Sequence, residues 1–238
     1  MTGREHLVAP EPLPVTEEAE HARGPSLVER YSAIAHEFRP RPVDRLLRLM
    51  DVVLAGALIA ALVPLLGACA LAVLAFGGRP VLYRGPRVGL RGEVFSMYKL
   101  RTLRAGAEER LGPYYGEELT RRTLAELTPA GRALRRLKLD ELPQLWNVLR
   151  GEMSLVGPRP IRPTFFEELC ETIPAYWQRL VVRPGVTGLA QLRLSREMTW
   201  DEKLAHDFEY IADRSLGLYL GVLAQTVVLV VGRMIGSE

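Results

Sequence analysis

The chain has 238 residues, 48% of them hydrophobic, and a formal net charge of +3, enough for one medium domain with appendages. Two distant cysteines, Cys69 and Cys170, and four unclustered histidines, His6, His21, His36 and His206, exclude a disulfide framework and a transition-metal site but not a hard, oxygen-liganded ion. Residues 1–40 hold seven acids against four arginines, leaving 27 basic and 21 acidic residues in 41–238; that balance suits phosphorylated ligands or an anionic membrane, and without a continuous basic stripe no nucleic acid is expected.

Residues 1–40 contain Pro10, Pro12, Pro14, Pro25 and Pro40 and few large apolar residues before Leu27. They are expected to form a disordered acidic extension with a short helix near Leu27–Phe38. The first apolar segment begins too late for a signal peptide.

From Val52 to Phe76 run 25 residues without a charge. A straight helix of this length crosses a hydrocarbon layer of roughly 30 Å. Pro64, at its centre, removes a backbone hydrogen bond and bends a helix. The flanks are basic on both sides, with Arg41, Arg45 and Arg48 before and Arg79, Arg84, Arg87 and Arg91 after. The positive-inside tendency then places both ends on the cytoplasmic side. The residues admit a helix that dips in and returns, or a kinked single-pass anchor.

Pro80–Arg84 and Val94–Arg101 read as short strands around a turn at Gly89–Gly92. Alternation places Phe95, Met97, Lys99 and Arg101 on one face, where Lys99 and Arg101 either reach one anion together or are solvated strand charges. Residues 104–136 read as surface helices, with a restart at Thr128-Pro129. The basic cluster Arg132, Arg135, Arg136 and Lys138 leads into Asp140-Glu141.

In LDELPQLWNVL, the residues Leu139, Leu142, Trp146 and Leu149 form an apolar face at helical spacing, with Asp140, Gln144 and Asn147 on a polar face beside it. Pro143 restricts Asp140 to the start of a helix. There it is either an N-cap or an ionised carboxylate available as nucleophile or metal ligand. Gly157-Pro-Arg159-Pro160 presents an arginine between prolines. Residues 161–182 read as helical, with Phe165, Phe166, Tyr176 and Trp177 as packing residues. In Arg183-Pro-Gly-Val-Thr-Gly188, Gly185 lets the backbone approach an oxyanion while Arg183 and Thr187 add charge and a hydroxyl. Residues 200–214 read as a charged helix. The apolar run 216–232 is either an amphipathic helix at the membrane surface or a second crossing.

Taken together, the proline-broken apolar segment, RVGLRGEVFSMYKLRT, LDELPQLWNVLRGEMSLVGPRP and RPGVTGLAQ resemble the bacterial sugar transferase family, small monotopic phosphoglycosyl transferases acting on polyprenyl phosphate. The resemblance runs from about Asp44 to the C-terminus. It implies that a sugar-1-phosphate passes from a nucleoside diphosphate sugar, usually a UDP-sugar, to undecaprenyl phosphate, releasing UMP, as the first step of surface glycan assembly. It places the reaction on the cytoplasmic face of the bacterial inner membrane. Asp140 matches the family's nucleophile and Glu141 its magnesium-associated glutamate. Lys99, Arg101, Arg159, Arg183, Gly185 and Thr187 match substrate-binding motifs, and Pro64 matches the re-entrant break. Val63 stands where the family usually has serine, and Leu189 where it has tryptophan, which bears on the choice of nucleotide sugar.

The expected fold is α+β and mostly helical. It is a monotopic membrane protein with a proline-broken re-entrant helix, a small β element and surface amphipathic helices. Its parts are an extension over 1–40, a membrane segment with flanks over 41–79, and a cytoplasmic catalytic domain over 80–238. The implied cofactor is Mg²⁺. The implied partners are the UDP-sugar, undecaprenyl phosphate, inner-membrane lipids and a second copy of the chain. Two alternatives are a transferase in which the acceptor attacks directly, and a non-catalytic scaffold for glycan enzymes.

Overall fold

The computed structural model describes residues 40–111, 116–193 and 198–235, with the backbone alone at 108, 109, 116–120 and 233–235. The expected N-terminal extension, with its helix near Leu27–Phe38, lies outside the described residues apart from residue 40. The described chain is mostly helical with two small sheets.

Helix α1 spans Pro42–Gly77, with proline in its first turn and Asp44 Oδ2 accepting from the Arg41 backbone N–H at 2.6 Å. The helical pattern continues through Pro64, so the expected break is not an interruption of the helix. Proline deletes one donor while its fixed φ remains helical, and the flanking turns keep their bonds. Leu47, Asp51 and Ala55 are buried at four-residue spacing, and so are Cys69 and Val73; no residue between 56 and 68 is buried. Both ends of α1 therefore dock on the body, the N-terminal dock reaching as far as the half-buried Ile59, while the stretch around Pro64 stands free.

The N-terminal dock is pinned by Asp51. Its carboxylate accepts from Ser154 Oγ at 2.9 Å, the Leu155 N–H at 2.8 Å and Tyr219 Oη at 2.8 Å. A buried carboxylate with three donors replaces its lost hydration and joins three elements at one point.

Strands β1 (Leu82–Val88) and β2 (Val94–Leu100) form an antiparallel hairpin with Tyr83 opposite Lys99 and Gly85 opposite Met97, around a 3₁₀ turn at Leu90–Gly92. Phe95 and Met97 enter the main core with Leu47, Ala55, Val148 and Val156, and Leu100 enters a smaller cluster with Cys69, Val73 and Leu134. Helices α2 (Ala107–Leu111), α3 (Gly116–Ala125) and α4 (Pro129–Arg136) follow. Thr128 caps α4 through Oγ1, which accepts from the Gly131 N–H at 2.9 Å, as the Thr-Pro pair predicts.

After a 3₁₀ turn over Leu139–Glu141 come α5 (Gln144–Arg150) and β3 (Ser154–Val156). Then follow α6 (Pro163–Thr172), a 3₁₀ turn at Tyr176–Val181, β4 (Gly185–Thr187) and α7 (Leu189–Leu192). Strands β3 and β4 pair in parallel, Ser154 beside Gly185 and Val156 beside Thr187; three-residue strands this short leave no period to read, and the sequence did not predict them. Phe166 and Tyr176 are buried in a second core, and Phe165 stacks edge-on against Trp200 at 5.0 Å, consistent with the packing role expected of these aromatics.

Helix α8 (Trp200–Asp213) starts with a capping box between Thr199 and Glu202, and α9 covers Leu216–Ile235. Tyr219 and Val222 of α9 are buried, whereas Leu220, Val227, Val228 and Val231 are exposed. The expected contrast of polar and apolar faces is therefore absent. The Thr226 hydroxyl is spent inward, 2.8 Å from that of Thr187, and the outer face is left mainly apolar.

Candidate active site

Lys138 adopts a left-handed backbone, φ 60° and ψ 15°. A non-glycine residue there is uncommon and costs of order 1 kcal/mol. This turn separates α4 from the 3₁₀ turn, and the flanking leucines anchor it, Leu139 against the smaller cluster and Leu142 against the main core. Asp140 lies between them, 6% exposed. Helix α5 begins only at Gln144, with Pro143 as its first flanking residue and no side-chain cap. The N-cap role for Asp140 is therefore absent. Among the described residues no hydrogen bond reaches its carboxylate.

Glu141 faces β2. Lys99 Nζ donates to Glu141 Oε1 at 2.7 Å, and both side chains are about one-fifth exposed. Arg135, on α4, donates from Nε to Thr102 Oγ1 at 2.9 Å, and its charge bears on both carboxylates. Burial raises the pKa of Asp140, opposed by Lys99 and assisted by Glu141. Burial alone would raise Glu141 too, but the Lys99 ammonium outweighs it and holds Glu141 low. The two adjacent carboxylates are thus driven apart, a pattern found where acids have different tasks.

The register of this site is held by Asn147, which is fully buried. Its Oδ1 accepts from the Tyr98 N–H at 3.0 Å, and its Nδ2 donates to Ser96 O at 2.8 Å and Glu152 Oε2 at 2.6 Å. These bonds turn the predicted polar face of α5 inward and Trp146 outward, while Leu142 and Leu149 of the predicted apolar face still pack against the main core. Gln144, Leu145, Asn147 and Val148 are buried, and Trp146 is 54% exposed. The amide outcompetes the indole for the inner position because the strand edge offers it both a donor and an acceptor.

Arg159 is exposed, and its charge reaches Lys99, Glu141 and Arg87. Its loop is held from behind: Arg179 Nη2 donates to Arg159 O at 2.9 Å and pairs with Asp207 at 2.7 Å, in a buried ion pair. Arg87 is buried nearby, with Arg162 and Arg159 among the charges acting on it. Sequence reasoning missed Arg87, Arg179 and Asp207. Arg87 opens the RVGLRGEVFSMYKLRT motif without having been singled out from it, no motif held Arg179 or Asp207, and the basic run before Asp140 did point to Arg135 and Lys138.

Other predicted residues lie elsewhere. Arg101 donates to the carbonyls of Gly77, Gly78 and Arg79 and closes the C-terminal end of α1. Arg183 donates from Nε to Gly151 O at 2.8 Å and lines a cavity with Arg48 and Asp51, apart from Asp140. Thr187 is engaged with Thr226. A Cβ on Gly185 would lie 2.1 Å from the Gly157 N, and one on Gly157 would lie 2.4 Å from Arg183 O. These glycines let two loops press together, backbone on backbone. Pro64 is in the free middle of α1, and Leu189, at a position of family departure, is buried in the main core.

Residues 43–233 match the family described as bacterial sugar transferase. Over 190 residues the chain is 41% identical to a Caulobacter vibrioides protein named UDP-glucose:undecaprenyl-phosphate glucose-1-phosphate transferase, covering 78% of this chain and 69% of that one. It is 34% identical over 192 residues to an Aeromonas hydrophila protein named UDP-N-acetylgalactosamine-undecaprenyl-phosphate N-acetylgalactosaminephosphotransferase, covering 79% of this chain and 44% of that one. An Escherichia coli K12 protein named UDP-glucose:undecaprenyl-phosphate glucose-1-phosphate transferase is 35% identical over 191 residues, covering 78% and 40% respectively. The chain thus spans under half of the latter two. It belongs to the bacterial sugar transferase family.

Proposed function

We propose that this chain is a phosphoglycosyl transferase that moves a sugar-1-phosphate from a UDP-sugar to undecaprenyl phosphate through a covalent intermediate on Asp140. The observation that carries the reading is the carboxylate of Asp140. It is buried, unbonded among the described residues, and set beside the charges of Lys99, Arg135 and Lys138. A carboxylate stripped of hydration and hydrogen bonds is a better nucleophile than a solvated one, and nearby cations keep it ionised. The relatives' names supply the substrate class.

In the first step an Asp140 carboxylate oxygen attacks the phosphorus that bears the sugar. A phosphorus–oxygen bond forms, the diphosphate bridge breaks, and UMP leaves with the bonding pair. In the second step an oxygen of the lipid phosphate attacks the same phosphorus, the aspartyl bond breaks, and Asp140 is restored. Two anions must meet in each step, and unit like charges 4 Å apart repel by about 4 kcal/mol at an effective dielectric of 20. Lys99, Arg135 and Arg159 provide the counter-charge, and splitting the reaction brings one anion at a time.

The donors at this site fit magnesium. Glu141 and Asp140 offer hard oxygen ligands, and among the described residues no third acid, histidine or cysteine groups with them; phosphate oxygens and water would have to complete the shell of the ion, as magnesium prefers. Glu141 would hold the ion beside its pair with Lys99. When bound, it neutralises diphosphate charge.

The membrane reading rests on α1 and α9. The free middle of α1 and the outer face of α9 are apolar. A straight helix would separate Ala55 from Cys69 by about 21 Å. Met97 and Leu100, which share their respective clusters, stand only about 10 Å apart along β2. A bend at Pro64, where one backbone hydrogen bond is missing, would reconcile these distances and would suit a dip into one leaflet from the cytoplasmic face of the inner membrane. The acceptor's phosphate then lies at headgroup depth, level with the site.

The test is incubation with UDP-glucose and Mg²⁺ in the absence of lipid acceptor. UMP release and a hexose-phosphate adduct on Asp140 by mass spectrometry are expected. Turnover only when acceptor is present, with no adduct, would establish direct attack and refute the covalent scheme.

A further inference from the structure

A cavity of about 500 Å³ lies at the other end of β2 from the catalytic carboxylates. Arg91, just before the strand, lines it, whereas Lys99, near the strand's far end, faces Glu141. The strand between them is about 17 Å long. Arg45, Arg48, Arg91, Arg183 and Arg214 line this cavity against two carboxylates, Asp44 and Asp51.

Both carboxylates are already engaged. Asp44 is paired with Arg214 at 2.6 Å, and Asp51 accepts from Ser154, Leu155 and Tyr219. Arg48 donates to the carbonyls of Val148 and Leu149, and Arg183 to that of Gly151. Arg45 and Arg91 have no hydrogen bond or ion pair among the described residues. Arg91 is moreover held in a left-handed turn, φ 57°, which costs of order 1 kcal/mol. The lining thus carries an unbalanced positive charge in a space large enough for a phosphorylated group. Leu46, Leu49 and Val53, on the same stretch of α1, are exposed.

We propose that this cavity binds the phosphodiester headgroup of an anionic membrane phospholipid, with the acyl chains running along the exposed leucines of α1, as a site separate from the transfer centre. The inference rests on the membrane placement of α1 proposed above. Arg45, one turn before Leu49, sets a free cation at the edge of the exposed apolar face of α1, and a lipid phosphate presents charge and hydrocarbon together. The undecaprenyl acceptor does not fit, because its phosphate must reach Asp140, a strand's length away.

The test uses the full chain in detergent micelles, with thermal unfolding followed during titration with short-chain phosphatidylglycerol. Short-chain phosphatidylcholine and inorganic phosphate form parallel arms. Phosphatidylglycerol is expected to raise the midpoint saturably, and the other two to leave it unchanged. In the Arg45→Gln/Arg91→Gln chain the apparent affinity should weaken by about tenfold or more, while UMP release from UDP-sugar is preserved. Should that chain fail to fold, Arg45→Gln alone must still weaken the response, and Arg45→Lys/Arg91→Lys must retain most of it. An equal response to inorganic phosphate would overturn the lipid assignment, and an undiminished response in the glutamine variants would overturn the cavity. Failure of the wild-type chain to partition into phosphatidylcholine vesicles would instead refute the membrane placement of α1.

Discussion

Lys99 reaches across from β2 to Glu141, Nζ to Oε1 at 2.7 Å, and this contact ties the hairpin to the turn that carries Asp140. Burial lowers the pKa of Lys99, against the pull of Glu141, while Glu141 is held low because of Lys99. With Glu141 taken up in the pair, the neighbouring Asp140 is the carboxylate left unbonded.

Asp140→Asn is expected to abolish transfer while stabilising the fold. Burial raises the Asp140 pKa, so the folded state binds a proton more tightly than the unfolded chain. Stability then falls as pH rises from the ordinary aspartate value through the raised one, and at neutral pH the full penalty stands. The amide removes it. UMP release should drop by roughly 10⁴-fold or more. The melting midpoint should rise by roughly 2–4 °C for each kcal/mol relieved. A lower midpoint at pH 7 would contradict the buried, uncompensated carboxylate.

The acid limb of kcat/KM should belong to Asp140. On acidification its raised pKa makes it take a proton before Glu141, which Lys99 holds low. The limb should therefore lie above the free-aspartate value of about 3.9, with the pair titrating as a unit. Lys99→Met removes the strongest influence keeping Asp140 ionised. Its residual activity, reduced roughly 10²-fold, should show the limb displaced to higher pH. A limb that stays in place, measured as UMP release against pH, would assign it to another group.

Asn147→Ala should loosen the site without touching substrate. It strands the Tyr98 N–H and Ser96 O, both bonded by one fully buried amide, and takes one donor from Glu152, whose other oxygen stays paired with Arg150. Each buried group left unpaired costs about 1–3 kcal/mol, so denaturant unfolding should record a loss of roughly 2–4 kcal/mol after relaxation. Asn147→Asp keeps the acceptor but adds charge beside Glu152, and should fare no better. A loss under 1 kcal/mol in either would mean that water replaces the amide.

Gly157→Ala should damage both the fold and the Arg159 loop. The added methyl would lie 2.4 Å from Arg183 O and 3.0 Å from the Gly185 N, both backbone atoms. Overpacking of this kind costs about 1–3 kcal/mol. Because the shift moves the Pro158–Pro160 segment, KM for the UDP-sugar should rise several-fold. Unchanged KM with lowered stability would separate the loop from donor binding.

The local elements were legible in the sequence where a short-range rule governs them. The α1 run needed only its uninterrupted apolar composition, the β1–β2 hairpin its glycine-bounded turn, and α4 its Thr-Pro start. Asp140 and Glu141 stood out as adjacent acids before a proline. What tertiary structure alone decided is which side each residue faces. Asn147 turned inward and Trp146 outward because the β2 edge could satisfy an amide. Gly157 and Gly185 met each other because β3 and β4 pair across 28 intervening residues. Lys99 found Glu141, Arg101 closed the end of α1, and Arg183 joined a separate cavity, although all three read alike as cations near motifs. Periodicity and composition specify what a segment can become, but a charge's role depends on the partner that folding brings within 3 Å, and that partner is distant in the chain.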